Sequence, residues 1–293
     1  MDVEAAVDVE EAQDGGKFAL VKILAEDLSA GGLELPSFPD IVVRIRRALA
    51  DDNVTTDKIV QIIGADPVLA ARILGIANSA ALRPATDPIT DLPMAVNRIG
   101  QNMVRNTAVS HGISQSRKSY KLKEAKARLD MLWDECAHVA ALCFVLAKKR
   151  TRLNADEALL IGLMHGIGKL YILGRAESHP ELFGDEADLF HIMDEWHSQI
   201  GSSIVDSWGF ENYVAEAIAG YTDLERDHEE EADYTDVLTL ASLFSQFVRA
   251  DSMEVQLENV PASRHLKIGT ADLMPILDES REQITSLRRA LGK

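Results

Sequence analysis

Aromatic residues make up only 5% of the 293-residue chain, so any core must be built mainly from Leu, Ile, Val, Ala and Met. Cysteine is scarcer still, with Cys136 and Cys143 alone. They stand seven apart in what reads as one helix, about 10 Å between Cα atoms at about 1.5 Å per residue. A disulfide cannot span that distance, so both read as buried thiols suited to a reducing compartment. No apolar run reaches the roughly 18 residues of a membrane-spanning helix; the longest, 137–147 and 158–164, give way to Lys148 and to His165-Gly166. The N-terminus carries Asp2, Glu4, Asp8, Glu10, Glu11 and Asp14, the reverse of a basic signal peptide. A cytoplasmic protein without a membrane is the expectation. Positive charge is in deficit, 30 basic against 47 acidic residues for a net −17. That balance repels phosphate and argues against nucleic-acid binding. The one basic stretch, Arg117, Lys118, Lys121, Lys123, Lys126 and Arg128, reads as a solvated helix face.

Several chemistries lack their motifs as well. The chain has no phosphate-cradling glycine loop, no CxxC and no HExxH. Ser110-His111 are adjacent, but nothing in the pattern supplies the third member of a triad.

What is present is helical punctuation. Residues 1–16 carry acid without bulky apolar groups and are expected to be a disordered tail. Phe18, Val21, Leu24 and Leu28 then predict a helix over 17–32, stopped at Gly31-Gly32. Leu35-Pro36-Ser37-Phe38-Pro39 predicts an extended segment, with Asp40 as the next N-cap. A helix follows from Thr55-Thr56-Asp57 to Gly64, and Asp66-Pro67 starts another by capping and by placing Pro in the first turn. That helix finishes at Asn78-Ser79; a Pro-containing loop (Pro84, Pro88) leads to a short helix from Thr90 or Asp91 to Gly100, then one over 102–114. From about residue 120 the helices lengthen: 129–147, a helix capped by Asn154, 187–208, 214–221 and 234–247. The acidic segment 223–236 reads as a mobile surface loop, and a C-terminal helix from about Ala271 is expected to break at Pro275. No strand-period alternation occurs. The prediction is an all-α, two-lobed protein: an N-terminal short-helix lobe over 33–118, a second lobe over 119–250 and a helical extension over 251–293.

Four N-terminal motifs stand in a telling order: Leu35-Pro36-x-x-Pro39, Ala65-Asp66-Pro67-x-Leu69, Ala77-Asn78-Ser79-Ala80 and Ala95-Val96-x-x-Ile99-Gly100. Downstream comes Leu160-Ile161-Gly162-Leu163-Met164-His165-Gly166-Ile167-Gly168-Lys169-Leu170. Over roughly 33–245 this set resembles the HDOD family, the output-type relatives of the HD metal-dependent phosphohydrolases. The resemblance implies a helical HD-like lobe and a bacterial signalling context.

In active HD-type enzymes, His residues, a His-Asp pair and a further Asp bind the metal, which lowers the pKa of a bound water. Carried over in chain order, the first His falls at Glu135, with His138 one turn on as a displaced candidate; His138 reads as a buried or half-buried histidine. The His-Asp pair becomes His165-Gly166, without the bridging carboxylate. The next His is His197, in a helix where Asp194 shares its face and His191 shares one with Glu195. A later His is replaced at Gly220-Tyr221, and the terminal Asp falls near Ser242. Glu135, His165, Gly166, His197 and Ser242 are therefore the residual positions of a site expected to hold no metal, cofactor or catalysis. The expected function is a non-catalytic signalling platform acting in trans. The partner implied is a histidine kinase, a response regulator or a cyclic-dinucleotide enzyme. The alternatives are a degenerate phosphohydrolase and a small-ligand sensor using the old pocket.

Overall fold

A computed structural model describes residues 3–30, 33, 40–49, 51, 53–78, 89–116, 123–183, 186–249 and 257–291. Among them there is no strand. The chain is all-helical, as predicted. The helices α1 (Val3–Ala30), α2 (Asp40–Leu49), α3 (Thr56–Ile63), α4 (Pro67–Ala77) and α5 (Leu92–Ser116) form the first part. The second holds α6 (Lys123–Arg150), α7 (Ala155–Met164), α8 (Ile167–Ala176), α9 (Glu186–Ser207), α10 (Asn212–Gly220) and α11 (Tyr234–Arg249), followed by α12 (Pro261–Leu266) and α13 (Thr270–Ala290). The Pro36–Pro39 and Ser79–Pro88 motifs, Gly31-Gly32 and Arg117, Lys118 and Lys121 of the basic stretch lie outside the described residues.

Local capping sets most of these boundaries. The Thr55 hydroxyl accepts from the Lys58 N–H, and Asp66 Oδ1 accepts from Val68 and Leu69 N–H at 2.9 and 3.0 Å. Each satisfies donors that a helix start leaves without an internal partner. Asn154 caps α7 in the same way. Asn78 closes α4 by donating to the Leu74 carbonyl at 3.0 Å. It also exchanges two 2.8 Å hydrogen bonds with the backbone of Ile89, drawing the two ends of the intervening loop together. Gly100, at φ +78°, breaks α5 into the two helical stretches expected there, a conformation that L side chains rarely adopt.

Four expectations need correction. Residues 3–16 are helical and continue α1 instead of forming an unfolded tail. Ala5, Ala6, Glu10, Glu11, Ala12 and Gln13 are good helix formers, acids are favoured near a helix N-terminus, and the helix is anchored by the buried Leu20 and Leu24. Pro275 does not interrupt α13, which runs on around it; the ring removes one backbone donor near the helix start, on an exposed side. Arg128 is not simply solvated, since its guanidinium lies 5.8 and 5.3 Å from the Phe183 and Phe190 rings. The acidic 223–236 segment is tied down: Asp233 Oδ1 accepts from Asp236 N–H at 2.9 Å, Asp236 Oδ2 accepts from Asp233 N–H at 3.1 Å, and Arg226 pairs with both carboxylates.

Helices α2–α5 pack on one another, and α6–α11 form a second group around the α6–α7 and α8–α9 pairs. One contiguous apolar core runs through both, from Leu20 to Leu291. Its seam carries a polar lock. The Arg105 guanidinium of α5 pairs with Glu157 of α7, whose other oxygen accepts from Tyr213 Oη at 3.1 Å. Ala155–Ala176 is the one stretch among the described residues long and apolar enough to cross a membrane; its most apolar 18-residue window has mean hydropathy 1.3 and is 89% buried in the protein. It is broken in the middle, at His165-Gly166, and that junction forms the candidate site.

Candidate functional site

His165 ends α7 and Gly166 opens α8. The imidazole of His165 is 1% exposed, and its Nδ1–H donates to the Gly162 carbonyl at 2.6 Å. Nε2 is then a buried acceptor without a hydrogen-bond partner among the described residues. His197, on α9, is held alike: Nδ1–H donates to the Met193 carbonyl at 2.7 Å, one turn back. Its Nε2 accepts from the Tyr221 hydroxyl at 2.7 Å. The Tyr221 ring lies edge-on to both imidazoles, at 5.6 Å from His165 and 5.8 Å from His197. Three of the residues singled out from the sequence therefore do meet.

Charge enters this cluster from α6 and α8. Lys169 Nζ lies 4.0 Å from Glu135 Oε1. Burial pushes the His165 pKa down to about 4, against upward pulls from the Gly162 hydrogen bond and Glu135; the Lys169 charge adds to the lowering. Burial and then Lys169 push His197 down to about 4 as well. Burial holds the Tyr221 phenol well above its ordinary value, with Cys136, Glu135 and Asp194 adding to it. At neutral pH the cluster is two uncharged imidazoles, an un-ionised phenol and one ammonium–carboxylate pair. An imidazole so weakly basic and almost fully enclosed is a poor general base.

Gly166 decides whether a metal fits. Its backbone, at φ −88° and ψ 6°, is open to any residue, so any constraint here comes from space. A Cβ would fall less than 3.0 Å from Cys136 Sγ and 3.1 Å from Leu132 Cδ1. A thiol and an isobutyl group stand beside that Cβ position. Gly168 is squeezed too, against the His197 carbonyl of α9, which brings the two helices into close contact. Among the described residues the cluster still offers His165 Nε2, Glu135, which Lys169 stands beside, and the Cys136 thiol. With His197 Nε2 taken up by Tyr221 and no side chain at Gly166, the set departs from the imidazole-and-carboxylate arrangement of an HD-type metal centre.

Of the other candidates Asp194 still touches the cluster, its backbone carbonyl 3.2 Å from His197 Nδ1 and its charge acting on His197 and Tyr221. His138 is half-buried on α6, as expected, and His191, Asp194 and Glu195 are exposed on α9 while His197 is buried. Ser242 is buried on α11, with no hydrogen bond or ring contact among the described residues tying it to the histidines. His111 Nε2 pairs with Asp66 Oδ2 at 2.8 Å, so a carboxylate does meet it, as a helix cap instead of a triad member. The apolar crevice beside Gly166, lined by Ile113, Leu132, Trp133, Cys136 and Leu170, has about 10 Å³ open to a water-sized sphere. Small-molecule pockets measure roughly 300–1,000 Å³. In the sequence Gly220-Tyr221 reads only as a lost histidine; the phenol that meets His197 Nε2 is a partner that chain order does not show, its one signal being a Tyr in a histidine's place.

A family model for the HDOD domain matches residues 35–224. The chain belongs to the HDOD family. Its fold is shared with a Shewanella amazonensis SB2B protein provisionally named a metal-dependent phosphohydrolase: TM-score 0.79, 26% identity, covering 94% of this HDOD chain and 99% of that one. A Marinobacter aquaeolei VT8 protein provisionally named for signal transduction has the same fold at TM-score 0.61 and 18% identity, over 97% of this chain and 66% of its own. An uncharacterised protein of Treponema pallidum (strain Nichols) is 22% identical over 247 residues, 78% of this chain. The HDOD chain spans 45% of that relative's length.

Proposed function

We propose that this HDOD protein is a non-catalytic, cytoplasmic component of bacterial signal transduction. It would act as a helical platform for a histidine kinase, a response regulator or a cyclic-dinucleotide enzyme. One observation carries the non-catalytic part: Gly166 offers no side-chain ligand, and a Cβ there would run into Cys136 Sγ and Leu132 Cδ1, which would have to shift. The Tyr221 hydroxyl on His197 Nε2 supports the same reading, since it uses the lone pair a metal would need. The signalling context rests on membership of the HDOD family and on the likeness of fold to the Marinobacter protein.

The test is phosphodiesterase activity on cyclic and linear dinucleotides, with added Mn, Fe or Zn, for the natural protein and for His165→Gln. Both are expected to stay at the uncatalysed rate, with identical metal content. Activity lost together with a stoichiometric metal in His165→Gln would overturn the reading and favour the degenerate phosphohydrolase.

A further inference from the structure

Far from the histidine pair in sequence, three elements bring two other imidazoles onto one carboxylate. His228 comes from the connection after α10, Asp236 from the first turn of α11 and His265 from α12. His228 Nε2 lies 3.1 Å and His265 Nδ1 3.0 Å from the same oxygen, Asp236 Oδ2. The three atoms all lie within 4.8 Å of one another. Asp236 is 2% exposed, and the two rings overlap at 4.1 Å.

We propose that His228 Nε2, Asp236 Oδ2 and His265 Nδ1 bind a divalent transition-metal ion of the zinc class. The spacing agrees with that ion. Ligand atoms about 2.0–2.1 Å from a tetrahedral metal stand about 3.3 Å apart, close to the two observed edges. Two imidazoles with one carboxylate suit zinc or cobalt better than calcium or magnesium, which favour oxygen. The far side of His265 is arranged as a ligand's would be. Its Nε2 faces the His228 carbonyl at 3.1 Å and Asp227 Oδ1 at 3.3 Å, two acceptors that place the ring proton on Nε2 and leave Nδ1 its lone pair.

Hydrogen bonding alone leaves this cluster crowded. Asp236 Oδ2 already accepts the Asp233 N–H at 3.1 Å, so two imidazole donors would make three on one oxygen. A metal removes that crowding by taking lone pairs from both rings. Around it stand three carboxylates, Asp227, Asp233 and Asp236, against two guanidiniums, Arg226 and Arg264. Asp233 Oδ2, 3.9 Å from His228 Nε2, is engaged by Arg226, so water takes the fourth position. The ion would staple the C-terminal segment onto the α10–α11 connection. This reading is independent of the proposed signalling role.

The test is titration of the full, chelator-stripped chain with Co²⁺ alone and Zn²⁺ alone. Expected are one Co²⁺ per chain with the visible absorption of a tetrahedral site, its displacement by Zn²⁺, and a rise in Tm with either ion. His228→Gln and His265→Gln should each weaken binding at least ~10-fold, while His165→Gln binds as the natural chain does. Tm measured in chelator shows whether either variant has lost its fold; His228, on the connecting segment, is the less demanding of the two. No saturable binding, binding unchanged in both folded variants, or binding lost only in His165→Gln would each overturn the assignment.

Discussion

Replacing Gly166 by Ala adds one methyl group at the junction of α7 and α8, and two effects oppose each other. Alanine restricts the unfolded chain, which at a compatible backbone stabilises by about 0.4–1 kcal/mol; φ −88° and ψ 6° are compatible. The new methyl, however, would fall less than 3.0 Å from Cys136 Sγ and 3.1 Å from Leu132 Cδ1, both on buried side chains. Overpacking of that kind costs about 1–3 kcal/mol, so the expected net loss is about 1–2 kcal/mol. Urea unfolding reads it as a lower midpoint at unchanged slope. Cys136→Ala removes the sulfur that the methyl meets, so the double variant should recover about 1 kcal/mol relative to the sum of the single changes. A Gly166→Ala protein as stable as the natural one, or a cycle with no coupling, would refute the argument that Gly166 is a space-limited position.

Acid should weaken the fold through the two histidines. Each has a folded pKa of about 4 against about 6.5 unfolded. Between those values the unfolded chain takes up protons that the folded one refuses, so stability falls as pH falls. From pH 7 to 5 the loss is about 2 kcal/mol per histidine. His197→Gln should show a pH slope smaller by that amount in urea titrations at the two pH values; equal slopes would sink the explanation. Tyr221→Phe leaves His197 Nε2 a buried acceptor without its donor, a cost of about 1–3 kcal/mol in urea unfolding. A cost near zero would mean the hydroxyl contributes nothing to holding His197.

Most of the helical punctuation could be read along the chain because its causes are local. Thr55, Asp66 and Asn154 cap donors two or three residues ahead, and Gly100 breaks α5 through its own φ. The contacts that decide the site are not local. Cys136 fills the space beside Gly166 from another helix, and Tyr221 reaches His197 across 24 residues. Periodicity and capping carry no information about such pairs. The acidic 223–236 segment misled for a related reason: its charge suggested solvent, but Asp233 and Asp236 cap α11 and bind Arg226, and Asp236 also meets two histidines from either side of it in the sequence.

The two histidine clusters differ most in their carboxylates. At His165 and His197 the Glu135 carboxylate already faces the Lys169 ammonium, and that ammonium helps keep both imidazoles neutral. A divalent ion added there would meet an existing cation already paired with Glu135, and a glycine where the family places its aspartate. At His228 and His265 the carboxylate lies between the rings, and the nearby Asp227 and Asp233 lower the cost of bringing in positive charge. The position of the carboxylates, more than the number of histidines, therefore separates a packed relic from a site able to take a cation.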